Sequence, residues 1–327
     1  MPKELIKNIG EKELIRRISK YMPPKQILDD CAFLETNNND LLINTDVMVE
    51  NTHFTNQILS PRDLGWKAVV TNLSDLFSSG CQKVLGINIG LILPATTEWE
   101  WVKELYEGIN EALLEHGGLI MGGDCSSGEA RTICISAFGT QGKLKLRRYF
   151  CRPNEIIMTT GLHGLSKLGF MLKNQALKEK SLITPKLRIA SEKAFCRPSP
   201  NSEVIKQMIR SNINNDSNAI GCTDSSDGLY QALSDLATSS DCTAVIDYLK
   251  LPKHDDWPFG EVWDEYYLFG GEDYELIFSL PEKWARQLIK IDKSVKEIGF
   301  FREGKSKVEF INFPTNIRSP AQIFSHF

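Results

Sequence analysis

No apolar run in these 327 residues is long enough to cross a bilayer; the longest, Val84 to Leu93, is interrupted by Gly86, Asn88 and Gly90. The opening residues are charged (Lys3, Glu4, Lys7, Glu11, Lys12, Glu13), so no secretory signal is expected. Basic runs are also missing, and the net charge of -4 argues against general nucleic-acid binding. The eight cysteines include no C-x-x-C pair and no His-rich partner segment. Structural zinc is therefore not expected, and the thiols fit reduced, buried positions in a cytoplasmic protein. The chain also lacks G-x-x-x-x-G-K-[ST], G-x-G-x-x-G and H-E-x-x-H, and no local pattern suggests a Ser or Cys nucleophile. A bound nucleotide would need a fold outside the common set.

What the chain does have is a series of short acidic knots beside apolar runs: Asp29-Asp30, Thr45-Asp46, Asn72-Leu-Ser-Asp75, Gly122-Gly-Asp124, Asp224-Ser-Ser-Asp227-Gly228 and Gly270-Gly-Glu-Asp-Tyr-Glu275. Carboxylates flanked by Gly, Ser or Thr at strand edges suit hard cations, which take oxygen ligands. Several of them together would hold a polyphosphate through bridging metals, which makes Mg²⁺-nucleotide chemistry the leading reading. With 42% hydrophobic and 24% charged residues the composition is that of a globular protein, and the length favours two domains sharing a cleft.

The pattern predicts an N-terminal helix within the first twenty residues, strands at 31–35 and 41–46, and a helix opened by Ser60-Pro61-Arg62-Asp63 and stopped near Gly80. A strand at 84–93, a helix at 97–116 and a strand at 133–138 complete the first half. The turn-prone basic stretch 139–152 marks the boundary, giving domains 1–147 and 148–327. In the second half, strands are expected at 156–160, into Cys222, and at 244–246, 274–279, 298–301 and 308–311. Helices are expected at 165–172, 202–211 and 227–237.

Each knot has an ordinary explanation as well as a chemical one. Adjacent Asp29 and Asp30 point to opposite faces, so at most one reaches a given metal; a solvated turn is the competing reading. Thr45-Asp46 reads as the end of an apolar strand, a metal site or a cap. Asp75 falls in an amphipathic helix where polar residues interrupt a buried face, a cost that favours function. Gly122-Gly123-Asp124 reads as a strand ending in two glycines, open to phosphate approach or to a plain turn. Asp224-Ser225-Ser226-Asp227 runs into a helix N-terminus suited to phosphate, although capping would account for part of it. The Gly270–Glu275 segment shapes a pocket entrance or a β-turn. His53 and Arg148 each have a structural and a ligand-binding reading.

In order and together, these segments resemble the thiamine-monophosphate kinase family, part of the superfamily that also holds aminoimidazole ribonucleotide synthetase and selenophosphate synthetase. The matching stretches are Asp29-Asp-Cys-Ala, Thr45-Asp-Val-Met-Val-Glu-Asn-Thr-His-Phe54, Asn72-Leu-Ser-Asp-Leu76, Gly122-Gly-Asp124, Asp224-Ser-Ser-Asp-Gly-Leu229, Gly270-Gly-Glu-Asp-Tyr-Glu-Leu276 and the closing Ser325-His326-Phe327. The resemblance implies an α+β, two-domain fold, with N-terminal sheets pairing across a homodimer and an α/β C-terminal domain beside each. It implies transfer of the γ-phosphoryl of ATP to thiamine monophosphate, directly and with Mg²⁺. By position, it implies metal ligation by Asp30, Asn44, Thr45, Asp46, Asp75, Asp124, Asp224 and Asp227. ATP would meet Tyr106, Gly123, Asp124, Arg148 and Ser226, and the thiamine phosphate would meet His53, Glu272 and Phe324. Asn154-Glu155 stands where the family has a Gly-Asp turn. Sister ATP-dependent ligases or cyclases, and a non-catalytic nucleotide-binding maturation protein, are the alternatives.

Overall fold

Helix α2 (Pro61–Ser78) follows directly from its sequence signals. In the computed structural model, which describes residues 5–23, 26, 28–37, 40–213 and 218–313, Ser60 caps it by accepting the Asp63 amide at 3.1 Å. Pro61 fills the first turn, and Gly80, at φ 86°, takes the left-handed conformation just past the end. Leu64, Ala68, Val69, Leu73, Leu76 and Phe77 bury its apolar side. The helix lies close against α3 (Trp99–His116), and glycines permit it. A Cβ at Gly108 would come 1.8 Å from the Arg62 carbonyl oxygen.

These two helices cover one face of the first sheet. Its strands are β1 (Ala32–Leu34), β2 (Leu41–Val49), β3 (Cys81–Leu93), β4 (Ile120–Ser127) and β5 (Thr132–Gln141), in the order β1-β2-β5-β3-β4. All pair antiparallel except β3 with β4. Alternation along β2 and β5 sends Leu42, Ile133, Ile135 and Ala137 into the core. Neighbouring Thr45 and Val47 face outward and are exposed, and edge strand β4 is exposed throughout.

The second sheet comprises β6 (Lys145–Arg147), β7 (Ile156–Thr159), β8 (Ala219–Asp224), β9 (Thr243–Asp247), β10 (Leu276–Leu280), β11 (Lys296–Arg302) and β12 (Lys307–Ile311), ordered β12-β9-β11-β7-β10-β8-β6. Around it lie α4 (Leu165–Lys173), α5 (Pro185–Cys196), α6 (Glu203–Ser211), α7 (Leu229–Ser239), α8 (Glu261–Phe269) and α9 (Glu282–Ile291). One apolar core runs unbroken from α2 and the first sheet to β8, β10 and α9. A second core fills the space among α4, α7 and α8. Helix α1 (Ile6–Ile18) buries none of its residues. No helix among the described residues is long and apolar enough to cross a membrane.

The α+β class holds, with local corrections. Thr45-Asp46 does not close a strand, because β2 continues to Val49. Gly122-Gly123 does not end one either, since β4 runs through both glycines to Ser127 while paired to β3. Helices α5, α8 and α9 and strand β6 were not anticipated. For α5 the signal was present: Thr184 caps it, and Pro185 follows, as Ser60-Pro61 do for α2. Asn154, in the place of the family's glycine, has φ 71°, a left-handed conformation that Asn tolerates better than most residues.

Candidate functional site

Three carboxylates from distant parts of the chain converge. Oxygens of Asp30, just before β1, Asp75, in the last turns of α2, and Asp224, at the end of β8, lie within 4.8 Å of one another. Asn44 and Asp46, on the same side of β2, complete the group. The Asn44 amide donates to Asp75 Oδ2 at 2.9 Å and to Asn72 Oδ1 at 3.2 Å. Two buried oxygens, Asn44 Oδ1 and Asp46 Oδ2, have no hydrogen-bond partner among the described residues. Burial and the neighbouring Asp30 push Asp224 up to about 6. Burial, Asp30 and Asp227 do the same to Asp46. Asp75 is raised well above the usual carboxylate range by burial and then by Asp46, Asp224 and Asp30. Such crowding is relieved by protons or by cations.

Around the cluster, hydroxyls hold the carboxylates in place. Ser74 donates to Asp224 at 2.5 Å, Ser78 to Asp30 at 2.8 Å and Thr223 to Asp30 at 3.2 Å. Arg148 pairs with Asp30, reaches Asp235 at 3.7 Å and donates to Thr223 at 3.1 Å. Asp29 turns the other way. It accepts the Arg148 amide at 3.2 Å and sits 3.6 Å from Arg147, and burial followed by Asp30 raises it to about 7.

Next to the cluster is a cavity of about 350 Å³ with an aromatic lining of Phe170, Phe195, Tyr230, Phe269 and Tyr274. Its polar lining comprises Thr52, His53, Lys167, Ser226, Asp227, Gln231 and Glu272. Two links join cavity to cluster: Ser226 donates to Asp224 at 2.7 Å, and Asp227 acts electrostatically on Asp46. His53 Nδ1 accepts the Val49 amide at 3.0 Å, so a neutral ring carries its proton on Nε2. Glu272 and Tyr274 both adopt left-handed backbone, at φ 67° and 54°. They are held there by the Glu272 amide donating to the Ser226 carbonyl at 2.7 Å and by Tyr274 meeting the Thr71 hydroxyl at 3.0 Å. Between them Asp273 accepts the amides of Gly164 and Ser166 at 2.6 and 2.9 Å, tying the loop to the start of α4.

The arrangement can be set beside known proteins. Residues 28–141 match the family model for the AIR synthase related protein, N-terminal domain. A thiamine-monophosphate kinase of Prochlorococcus marinus is 42% identical over 325 residues, covering 99% of this chain and 98% of the relative. The chain belongs to the thiamine-monophosphate kinase family. A second member, from Synechococcus elongatus, is 31% identical over 98% of both chains. The solved structure of AaThiL complexed with AMPPCP and TMP superposes with a TM-score of 0.83 at 29% identity, covering 100% of each chain.

Of the positions carried over from this kinase family, the fold gathers Asp30, Asn44, Asp46, Asp75 and Asp224, with Arg148 against Asp30. It sets His53, Ser226, Asp227 and Glu272 around the cavity. Others stand apart. The Thr45 side chain lies on the outer face of β2, its hydroxyl 2.8 Å from Ser136. Asp124 pairs through Gly90 and Cys134 with Val47, which places it on that same outer face, about three strand spacings (~14 Å) from β2. Gly123 is needed for packing, since a Cβ there would lie 2.0 Å from the Ile89 carbonyl oxygen. Half-buried Tyr106 is raised by burial and then by Cys125, which puts it beside β4 rather than at the cluster. Phe324 lies outside the described residues.

Sequence reasoning missed the supporting side of α2. Beside Asp75, which the sequence did mark, Lys67, Thr71, Ser74 and Ser78 recur at helical spacing, and each reaches a residue of the site. The signal lay in that spacing of polar residues within an otherwise apolar helix. Phe170 and Phe195 carried no local signal.

Proposed function

We propose that this chain transfers the γ-phosphoryl group of ATP to thiamine monophosphate, giving thiamine diphosphate and ADP. The observation that carries this reading is the joining of the carboxylate cluster to the aromatic cavity through the two residues Ser226 and Asp227. One place suits a charged polyphosphate with its cations, and the other suits a flat heteroaromatic ring. Both reacting groups are anionic, so the obstacle is to bring two phosphates into line.

The residues fit Mg²⁺. Five oxygen-bearing side chains meet there, two buried oxygens lack partners among the described residues, and burial with the neighbouring acids raises Asp46, Asp75 and Asp224 above the ordinary carboxylate range. Asp30, Asn44, Asp46, Asp75 and Asp224 would hold the ions, with Asp227 nearby; bound Mg²⁺ supplies charge neutralisation of the phosphate oxygens. The chain's own part is placement. Aromatic walls stack on and orient the acceptor ring while His53 and Glu272 meet its polar groups. Arg148, fixed by Asp30 and Asp235, presents a guanidinium to the nucleotide, and Ser226 offers its hydroxyl beside Asp224. In-line transfer asks no side chain to form a covalent bond.

We further infer a homodimer in which the outer face of the first sheet is covered by a second copy, with residues 1–147 and 148–327 acting as its two domains. The exposure of Val47 and Ile92 on that face supports this. So does the position of Thr45 and Asp124 on that face, where only a second copy would bring them a cluster to join. Chromatography of the products from protein, ATP, Mg²⁺ and thiamine monophosphate tests the function. Thiamine diphosphate should appear only when both monophosphate and Mg²⁺ are present. ADP without thiamine diphosphate would overturn the choice of acceptor in favour of a sister enzyme's substrate.

A further inference from the structure

Lys67 stands out among the residues that the site's chemistry does not use. At 1% exposure it is buried within α2, and its ammonium meets Glu272 Oε2 at 2.9 Å and lies 4.0 Å from the centre of the Phe195 ring. Both of those groups line the aromatic cavity, whereas Lys67 itself does not. As a stabilising device the pair is poor. The ammonium gives up its hydration completely, while the Glu272 side chain is 42% exposed and keeps much of its own. An apolar side chain of similar length would fill the space at lower cost. What the arrangement does achieve is direction: a carboxylate on a left-handed loop is fixed to a rigid helix.

The same helix carries Thr71, bonded to Tyr274, and Ser74 and Asp75 at the carboxylate cluster. The cavity wall and the cluster are thus keyed to one element, and Lys67 is the key on the cavity side. We propose that Lys67 is a positioning residue for the acceptor, orienting the Glu272 carboxylate and the Phe195 ring toward the bound ring of the acceptor without touching it. The inference rests on the proposed kinase function and adds to it a determinant of acceptor binding separate from nucleotide binding.

The test compares steady-state constants and melting temperatures of the full-length wild type, Lys67→Met, Lys67→Arg, Glu272→Gln and the Lys67→Met/Glu272→Gln double variant. Losing the charge-assisted link should raise KM for thiamine monophosphate about tenfold in Lys67→Met, with KM for ATP within about twofold. The melting temperature should be unchanged or higher, Lys67→Arg should recover part of the loss, and Lys67→Met should add to Glu272→Gln much less than its effect alone, leaving only the part that acts through Phe195. An unchanged KM for the acceptor, equal rises in both KM values, full additivity with Glu272→Gln or a variant that fails to fold would each overturn the inference. A wild type that makes no thiamine diphosphate would instead overturn the function itself, so the two failures are told apart.

Discussion

Two acid motifs of similar appearance end up in opposite surroundings. Asp224-Ser-Ser-Asp227 leaves the buried end of β8, and Asp224, 2% exposed, enters the cluster with Ser74 and Ser226 bonded to it. Gly122-Gly-Asp124 lies in the middle of an edge strand whose eight residues are all exposed. In both a carboxylate follows apolar residues and small neighbours. The difference is whether the strand stops. A strand end releases its side chains into the space between layers, whereas a continuing strand holds them to one face or the other. Burial then does the rest, by making the carboxylate's charge unfavourable until a cation arrives.

That contrast can be broken experimentally, most severely at the buried end. Asp75→Asn should lower turnover by at least about a thousandfold while the fold persists, because Asn keeps the shape and removes a charge that burial opposes. Product chromatography with circular dichroism checks it; near-normal turnover would remove Asp75 from the chemistry. Next comes the exposed motif. Asp124→Asn should cost about a hundredfold if a second copy carries Asp124 to a site, and mixing it with Asp75→Asn should restore part of the activity by assembling one intact site. Failure to complement would confine Asp124 to its own chain.

A smaller effect separates charge from contact. Asp46 and Asp224 are raised to about 6 in the folded protein, above the ordinary carboxylate value. A raised carboxylate favours the fold while protonated, so this contribution is full at low pH and is lost as pH rises through about 6. Without divalent cations the melting temperature should fall between about pH 4 and pH 7, and Mg²⁺ should raise it by about 3–5 °C more at pH 7.5 than at pH 5. Equal shifts at both values would show that these acids do not take up the ion. The smallest change is Thr71→Val, which removes the hydroxyl facing Tyr274 and should cost about 1 kcal/mol in a denaturation experiment, with activity lowered only a few-fold.

Much of the first half was legible because its signals are local. Ser60-Pro61 at the start of α2 and Gly117 at the end of α3 are read directly from neighbours in sequence. The acid positions Asp30, Asp75 and Asp224 were legible too, since each interrupts a pattern that would otherwise be apolar or a plain turn. Partnership was not legible. Nothing near Lys67 reveals Glu272, and nothing near Thr71 reveals Tyr274, because those contacts arise only when two sheets share one core. The glycines of β4 misled for a related reason: they look like a turn, but Gly123 serves the close approach of two paired strands.

The polar stripe of α2 also has a consequence for how this molecule comes into being. Lys67 is 205 residues away from its counter-charge, and Thr71 is 203 from its aromatic partner. At about 5–20 residues per second, a ribosome leaves that lysine waiting roughly 10–40 s for Glu272 to be made. Throughout that interval the nascent N-terminal half holds a helix whose inner side is neither fully oily nor yet matched. Its completion is set by synthesis of the last third of the chain, so the N-terminal half acquires its finished inner surface only when the C-terminal half arrives.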